Sequence, residues 1–383
     1  MFVMKDQIRS LDLGETGQLY FYKYCLFNGG AVRMESWQNG GLPPEDEIKR
    51  TQLEGIGRSG LDYFKNSGRE AILGASSEDG ESQYCQKVIR DFVQLFGVFV
   101  VSDAIPMLKW LDINAYEKKM KTAAKKLDKL VEGWLEEHKH NRLLDGGGQE
   151  EEDFMDLMLT TLHDAEISCF DADTINKATC LNLIAASDSM KVALTWSLSL
   201  LLNNLHMLKN AQDELDIHVG RDLKESDIKN LVYLKAIMKE TLRLYPPGAI
   251  IGLHASKDDC TLSTGYKIPT GTRLMVNLWK IHHDESVWPD PDKFYPESFL
   301  TCHKDIDVRG QNFELLPFCS GRQSCPAIPL ALQVLHFVLA ALLHNFEIAS
   351  PSVDLVDMTM STGMTNLKAT PLEVLLIPHL KLV

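Results

Sequence analysis

The stretch Phe318-Cys319-Ser320-Gly321-Arg322-Gln323-Ser324-Cys325-Pro326 follows a proline-punctuated region and leads into an apolar run ending near Asn345. Glycine and serine mark its first half as a loop. The apolar run predicts a helix from about Pro326 to Asn345. The loop therefore delivers Cys325 to a helix N-terminus. Unpaired N–H groups and the positive end of the helix dipole favour a thiolate over a thiol there, and a thiolate can ligate iron. The alternative is a buried, inert cysteine, the usual fate of a free thiol.

Two upstream stretches carry further chemistry. In Lys239-Glu240-Thr241-Leu242-Arg243, the glutamate and arginine stand at i and i+3 and share one helix face, where they can pair. Such pairs are also common surface decoration. In Ala185-Ala186-Ser187-Asp188-Ser189, an acid and an alcohol interrupt a long apolar helix expected over Asp173 to Leu205. Buried polar groups there need a reason. The alternative is a serine bonded back to its own helix and an aspartate paired elsewhere.

Composition bounds the answer. The chain has 383 residues, 45% hydrophobic and 24% charged, which supports a sizeable core and argues against a disordered or low-complexity chain. A net charge of -14 leaves no general basic surface for phosphate, so nucleic acid is not an expected partner. Eight scattered cysteines without a CxxC argue against a zinc ribbon or dithiol motif and fit a reducing compartment. Neither a secretory signal nor an uninterrupted apolar span of roughly 18 residues is visible.

The chain reads as mostly helical. Helical spacing covers Ala115 to His138, and a glycine-rich acidic break follows from His140 to Asp153. A later helix ends at Pro246-Pro247. Short strands are expected over Thr261 to Asn277, irregular chain over Trp288 to Pro317, and a hairpin over Val356 to Pro378. Residues 1–71 offer no motif.

Taken together, the three stretches resemble in order and spacing the haem-thiolate monooxygenases, the cytochromes P-450: an oxygen-activating helix, an ExxR helix and a cysteine loop. Phe294-Tyr295-Pro296-Glu297-Ser298-Phe299 resembles that family's PERF segment. Asp307-Val308-Arg309-Gly310-Gln311-Asn312-Phe313-Glu314-Leu315 and Lys368-Ala369-Thr370-Pro371-Leu372-Glu373-Val374 are similar to plant family 82. Gly74-Ala75-Ser76-Ser77-Glu78-Asp79-Gly80-Glu81 and Trp110-Leu111-Asp112 fit it too. The resemblance runs from about Ile72 to Val383. It implies a mainly α fold with small β-sheets, truncated at its N-terminus. Residues 72–383 would form a partial catalytic domain behind an unmatched segment, 1–71.

The resemblance implies haem b as cofactor, with Cys325 as axial iron ligand and Phe318, Gly321, Ala327 and His254 around the porphyrin and its propionates. Asp188 and Ser189 would relay protons. Glu240 and Arg243 would lock the core. Ala185, Ala186, Ile250, Ile251, Thr362 and Gly363 would meet a small hydrophobic substrate. NADPH-cytochrome P-450 reductase, O2 and that substrate would be the partners. The location implied is the cytosolic face of the endoplasmic reticulum membrane. The chain as written shows no anchor, which leaves a soluble cytoplasmic location as the alternative.

Several positions depart from the family pattern. Alanine stands for glycine at 186 and 327, serine for threonine at 189, and cysteine for glycine at 319. Gln323 and Ser298 replace arginines, one for a propionate and one completing the ExxR cluster. A partly unpaired buried charge at Glu240 and Arg243 is therefore expected. Loss of two propionate arginines, the second from the unmatched front end, is expected to weaken haem retention by ~2–4 orders of magnitude. The leading expectation is a monooxygenase of plant specialised metabolites such as flavones, furanocoumarins, alkaloids or terpenoids. The rival is a truncated or decayed non-catalytic relative that binds haem weakly or not at all. A haem-thiolate isomerase or dehydratase is a third reading, which the retained acid–alcohol pair disfavours.

Overall fold

The computed structural model describes residues 115–144, 154–163, 171–321, 324–361 and 365–378, with scattered positions between 84 and 112. The expectations for residues 1–71, for Gly74 to Glu81 and for Gln323 lie outside these. The chain divides into two compact units, Met1–Ser187 with Leu253–Leu274 and Asp188–Gly252 with Met275–Val383.

The first unit contains α1 (Tyr116–Leu144), α2 (Phe154–His163) and the start of α3 (Ala172–Leu202). α1 runs on into the expected break as far as Leu144. Its apolar residues recur at helical spacing and bury one stripe. Val131 and Leu135 meet Met155 of α2 and Cys180 of α3, with Trp134, Leu159 and Leu181 closing around them. Polar contacts fix the register. Lys139 Nζ lies 2.6 Å from Asp173 Oδ2, Lys177 pairs with Glu132, and Asn176 Nδ2 donates to the Met155 carbonyl at 3.2 Å. Asp171 starts α3 by accepting from the Thr174 N–H at 2.9 Å, an ordinary aspartate cap. The short strands β2 (Cys260–Thr261) and β3 (Lys267–Ile268) pair antiparallel across the turn that Gly265 forms at φ +87°.

The second unit holds the remainder of α3, α4 (Leu205–His218), α5 (Val232–Leu244), α6 (Leu278–His282) and α7 (Ile328–Asn345). Two 3-10 turns, Glu225–Asn230 and Pro296–Leu300, punctuate it. β1 (Ile250–Ala255), of which Leu253–Ala255 belong to the first unit, pairs with β4 (Arg273–Asn277), of which Arg273 and Leu274 do, and β5 (Phe346–Ala349) pairs antiparallel with β6 (Leu375–Pro378). The core is aliphatic around one tryptophan: Trp196, Leu201, Leu215, Leu234, Ile237 and Leu242 are fully buried. Trp196 stacks on Tyr245 at 4.0 Å between ring centroids and donates its indole N–H to the Asn366 carbonyl at 2.7 Å.

The expected hairpin over Val356 to Pro378 is reduced to a single bridge between Met360 and Lys368. The strand at its end pairs instead with β5, which α7 lays down directly beyond its last turn. Among the described residues, α7 is the one helix long and apolar enough to cross a membrane. It packs against α4 and α5 and buries Val334, Leu335, Leu339 and Leu343.

Candidate active site

α5 has one strongly apolar face, and its last turn carries Glu240 and Arg243 into the core of the second unit. Their side chains are 2% and 3% exposed, so every polar atom needs a partner. Arg243 Nε donates to Glu240 Oε2 at 2.7 Å and Nη2 to Oε1 at 2.8 Å. Nη1 donates to the carbonyls of His282 and Pro291 at 2.9 and 2.8 Å, and Nη2 also to that of Lys293 at 3.1 Å. All five guanidinium N–H groups are thus used. The Tyr295 N–H donates to Glu240 Oε1 at 2.9 Å. The expected partly unpaired charge is therefore corrected. Main-chain groups of Pro291, Lys293 and Tyr295 complete the pair where a further arginine was expected. Ser298 is buried in the turn Pro296–Leu300, and its carbonyl accepts from the His303 N–H at 2.7 Å. Trp288 caps the cluster, with Arg243 over its ring at 5.1 Å.

His282 ends the short helix α6, fully buried. Its Nε2 accepts from the Leu316 N–H at 3.0 Å, which leaves Nδ1 as the donor to the Arg243 carbonyl at 3.2 Å. Burial holds it neutral, with a pKa pushed down to about 3. The ExxR helix is thereby tied to the segment that leads into the cysteine loop.

That loop is shaped by left-handed backbone. Cys319 has φ +64° and Gly321 φ +75°. The Cys325 N–H donates to the Phe318 carbonyl at 2.9 Å and closes the loop at its neck. Gly310, at φ +79°, approaches so closely that a Cβ there would stand 2.7 Å from the Cys319 carbonyl oxygen. Ser320 Oγ donates to the Gly310 carbonyl at 2.5 Å. Cys325 stands just before α7, whose N-cap is Ala327. Burial pushes the Cys325 thiol up from its ordinary pKa, and the nearby Ala327 N–H pulls the other way.

The other sequence-predicted residues lie elsewhere. Asp188 and Ser189 fall on α3, Ser189 half-buried, while the side chains of Ala185, Ala186 and Asp188 lie outside the described residues. Ile250, Ile251 and His254 lie on β1, with Ile250 exposed and His254 half-buried in the first unit. Thr362 and Gly363 are outside the described residues. A cavity of about 520 Å3 is lined by Asn203, Tyr245, Lys293, Tyr295 and Glu297 among others, none of them a predicted site residue.

The family model for cytochrome P-450 matches residues 66–376. The chain belongs to the cytochrome P-450 family. A different family model, the C-terminal domain of At3g27390, matches residues 1–64. Demethylepipodophyllotoxin synthase of Sinopodophyllum hexandrum is 51% identical over 309 residues, 80% of this chain and 59% of that relative. The chain therefore spans less than two thirds of that protein's length. Cytochrome P-450 82C3 of Arabidopsis thaliana is 49% identical over 94% of this chain and 70% of that one, which places the P-450 beside plant family 82. Among solved structures, a zebra fish cytochrome P-450 with abiraterone superposes with a TM-score of 0.63 at 26% identity, covering 80% of this chain and 67% of that one.

Membership implies haem, and the donor set fits it. Among the described residues no three His, Cys, Asp or Glu side chains gather around a metal-sized space. Haem iron would need one protein donor rather than a cluster of them. Cys325, a half-buried thiol at the end of that loop, is a side chain of the kind that would hold haem iron.

Sequence reading singled out Cys325, Glu240 and Arg243 and gave no role to His282, Trp288 or Gly310. Gly310 lay within a quoted stretch without a role. The signal for His282 was a histidine four residues beyond Leu278 on the buried side of a single helical turn, too short for periodicity to register.

Proposed function

We propose that this P-450 is the catalytic part of a haem-thiolate monooxygenase that hydroxylates a small hydrophobic plant specialised metabolite. The observation that carries this is a half-buried Cys325 at the start of α7, in a loop tied through His282 to a fully satisfied Glu240–Arg243 pair. Bound haem would supply O2 activation, one oxygen atom entering a C–H bond and the other leaving as water with two electrons and two protons. Cys325 would hold the iron. Phe318, Gly321 and Ala327 would face the porphyrin, and His254 would bind a propionate.

Asp188 and Ser189 would deliver the protons from α3. Ser189 keeps the hydroxyl but lacks the methyl that stiffens a threonine rotamer, so looser coupling of electrons to product is expected. Ala185, Ala186, Ile250, Ile251, Thr362 and Gly363 are small or apolar and would suit a flat apolar substrate. The similarity to a demethylepipodophyllotoxin synthase and to family 82 supports a specialised metabolite as the class. Electrons would come from an NADPH-dependent flavoprotein reductase, and the working location would be the cytosolic face of the endoplasmic reticulum. The domain boundary would fall near residue 71, a few residues beyond the point where the two family matches meet.

A second reading, a non-catalytic relative that retains haem weakly, is favoured by the different family matching residues 1–64. One experiment separates them. The chain is expressed with a haem supply, reduced, and exposed to carbon monoxide. A strongly red-shifted Soret band, lost in Cys325→Ser, is expected from thiolate ligation. A band of the neutral-ligand type, or none, supports the second reading.

A further inference from the structure

His282 occupies a position that neither the sequence motifs nor family membership assigns. It is completely excluded from solvent, and both ring nitrogens bond to main chain. Nδ1 reaches the carbonyl of Arg243, 39 residues away in sequence, and Nε2 the N–H of Leu316, 34 residues away. Its own carbonyl accepts from Arg243 Nη1 at 2.9 Å. One residue thus closes a circuit between the ExxR helix and the chain two residues ahead of Phe318.

Leu316 is itself buried and packs on Leu278, with Val276 and Cys319 against them. The next anchors are short steps along the chain. The Cys319 N–H donates to the Leu316 carbonyl at 3.1 Å, and the Phe318 carbonyl accepts from Cys325 at 2.9 Å. The path from Arg243 to Cys325 therefore runs through His282, Leu316, Cys319 and Phe318, with no exposed side chain among them.

We propose that His282 is a positioning residue that sets the cysteine loop through its Nε2 bond to Leu316, and that the Arg243 carbonyl serves to hold the ring in the tautomer that leaves Nε2 free to accept. The proposal rests on the monooxygenase reading for its functional meaning but not for its test. Hydrogen bonding dictates the tautomer: an N–H can be accepted only by an unprotonated nitrogen, so the proton must reside on Nδ1. A buried N–H left without an acceptor forfeits the full desolvation cost of the group.

Two isosteric variants separate the ring's two bonds. The amide of Gln reaches the place of Nε2 and that of Asn the place of Nδ1. His282→Gln keeps an acceptor for Leu316. His282→Asn keeps the donor to Arg243 and abandons Leu316. Amide hydrogen exchange of the full chain, read on peptides covering residues 315–325, is the first measurement. Exchange roughly tenfold faster there is expected in His282→Asn, with α5 and α7 unchanged, and near wild-type exchange in His282→Gln. The carbon monoxide spectrum of the haem-loaded protein is the second, with the thiolate-type band diminished in His282→Asn and retained in His282→Gln.

Equal protection of residues 315–325 in both variants overturns the proposal. So does protection lost in His282→Gln but kept in His282→Asn, or loss spread through α5 and α7 in both. If the wild-type chain gives no thiolate band while the exchange contrast holds, the positioning role stands and the monooxygenase reading falls.

Discussion

At the scale of single residues, the cysteine loop is held by close backbone approach as much as by side chains. Gly310 shows it most sharply. Its φ of +79° is a conformation that residues with a Cβ rarely adopt, and its missing side chain leaves room for the Cys319 carbonyl. Gly265 has a comparable φ of +87° but open space where a Cβ would stand. Alanine at either position incurs the backbone strain, about 1 kcal/mol. At 310 the added methyl also meets backbone that cannot give, which raises the cost to about 2–4 kcal/mol. Thermal unfolding of Gly310→Ala and Gly265→Ala, compared with the wild type, checks this. The expected result is a clearly larger drop in Tm for Gly310→Ala, and equal drops would show that the close approach is not enforced. Cys319 already bears the same left-handed strain at φ +64°, which makes its loop a poor place to add more.

At the scale of elements, α5 depends on a neighbour for its start. Its N-cap is Leu231, whose side chain caps nothing. The Glu214 carboxylate of α4 does so instead, accepting from the N–H groups of Tyr233 and Leu234 at 2.7 and 3.0 Å. A carboxylate at a helix N-terminus satisfies orphan donors and complements the dipole. Glu214→Ala is expected to lower the unfolding free energy by about 1–2 kcal/mol, and Glu214→Gln, which keeps one acceptor without charge, by less. Urea unfolding followed by helical circular dichroism reads both. An alanine variant as stable as the wild type would mean that water caps α5 equally well.

This cap illustrates what the sequence discloses. The long helices α1, α3 and α7 are legible because the 3.6-residue repeat of apolar positions is local. The Glu240–Arg243 pair is legible because i and i+3 share a face. The caps and bridges that join elements are not legible in this way. Glu214, His282 and Gly310 act on partners 9 to 39 residues away, and nothing at their own positions names those partners. The C-terminal strand shows the same thing. The apolar run Leu375–Pro378 marks a strand, but its partner is β5 because α7 ends where β5 begins, which no local pattern encodes.

At the scale of the whole molecule, acid sets up a contest. The chain carries a net charge of -14 at neutral pH, so protonating carboxylates first relieves self-repulsion. Two histidines oppose this. Burial pushes His282 down to a pKa of about 3, with the charges of Arg243 and His283 adding to the effect and a hydrogen bond to the Arg243 carbonyl resisting it. Burial pushes His336 down to about 4, with Lys235 and Lys239 adding to it and Asp307 resisting.

Both rings are neutral in the folded chain well below the ordinary histidine pKa of 6.5, at which the unfolded chain begins to take up their protons. Their stabilisation is complete above pH 6.5 and is lost as pH falls toward 4 for His336 and 3 for His282. Each proton contributes a slope of about 1.4 kcal/mol per pH unit inside its window. Diffuse surface repulsion among screened charges is weaker per group, so the histidines govern. Unfolding free energies measured at pH 7, 6 and 5 are expected to fall with acid. In His336→Gln the slope between pH 6 and 5 is expected to flatten by nearly one proton. A slope identical to the wild type would mean that the ring is charged in the folded state, and that Asp307 outweighs burial and the two lysines.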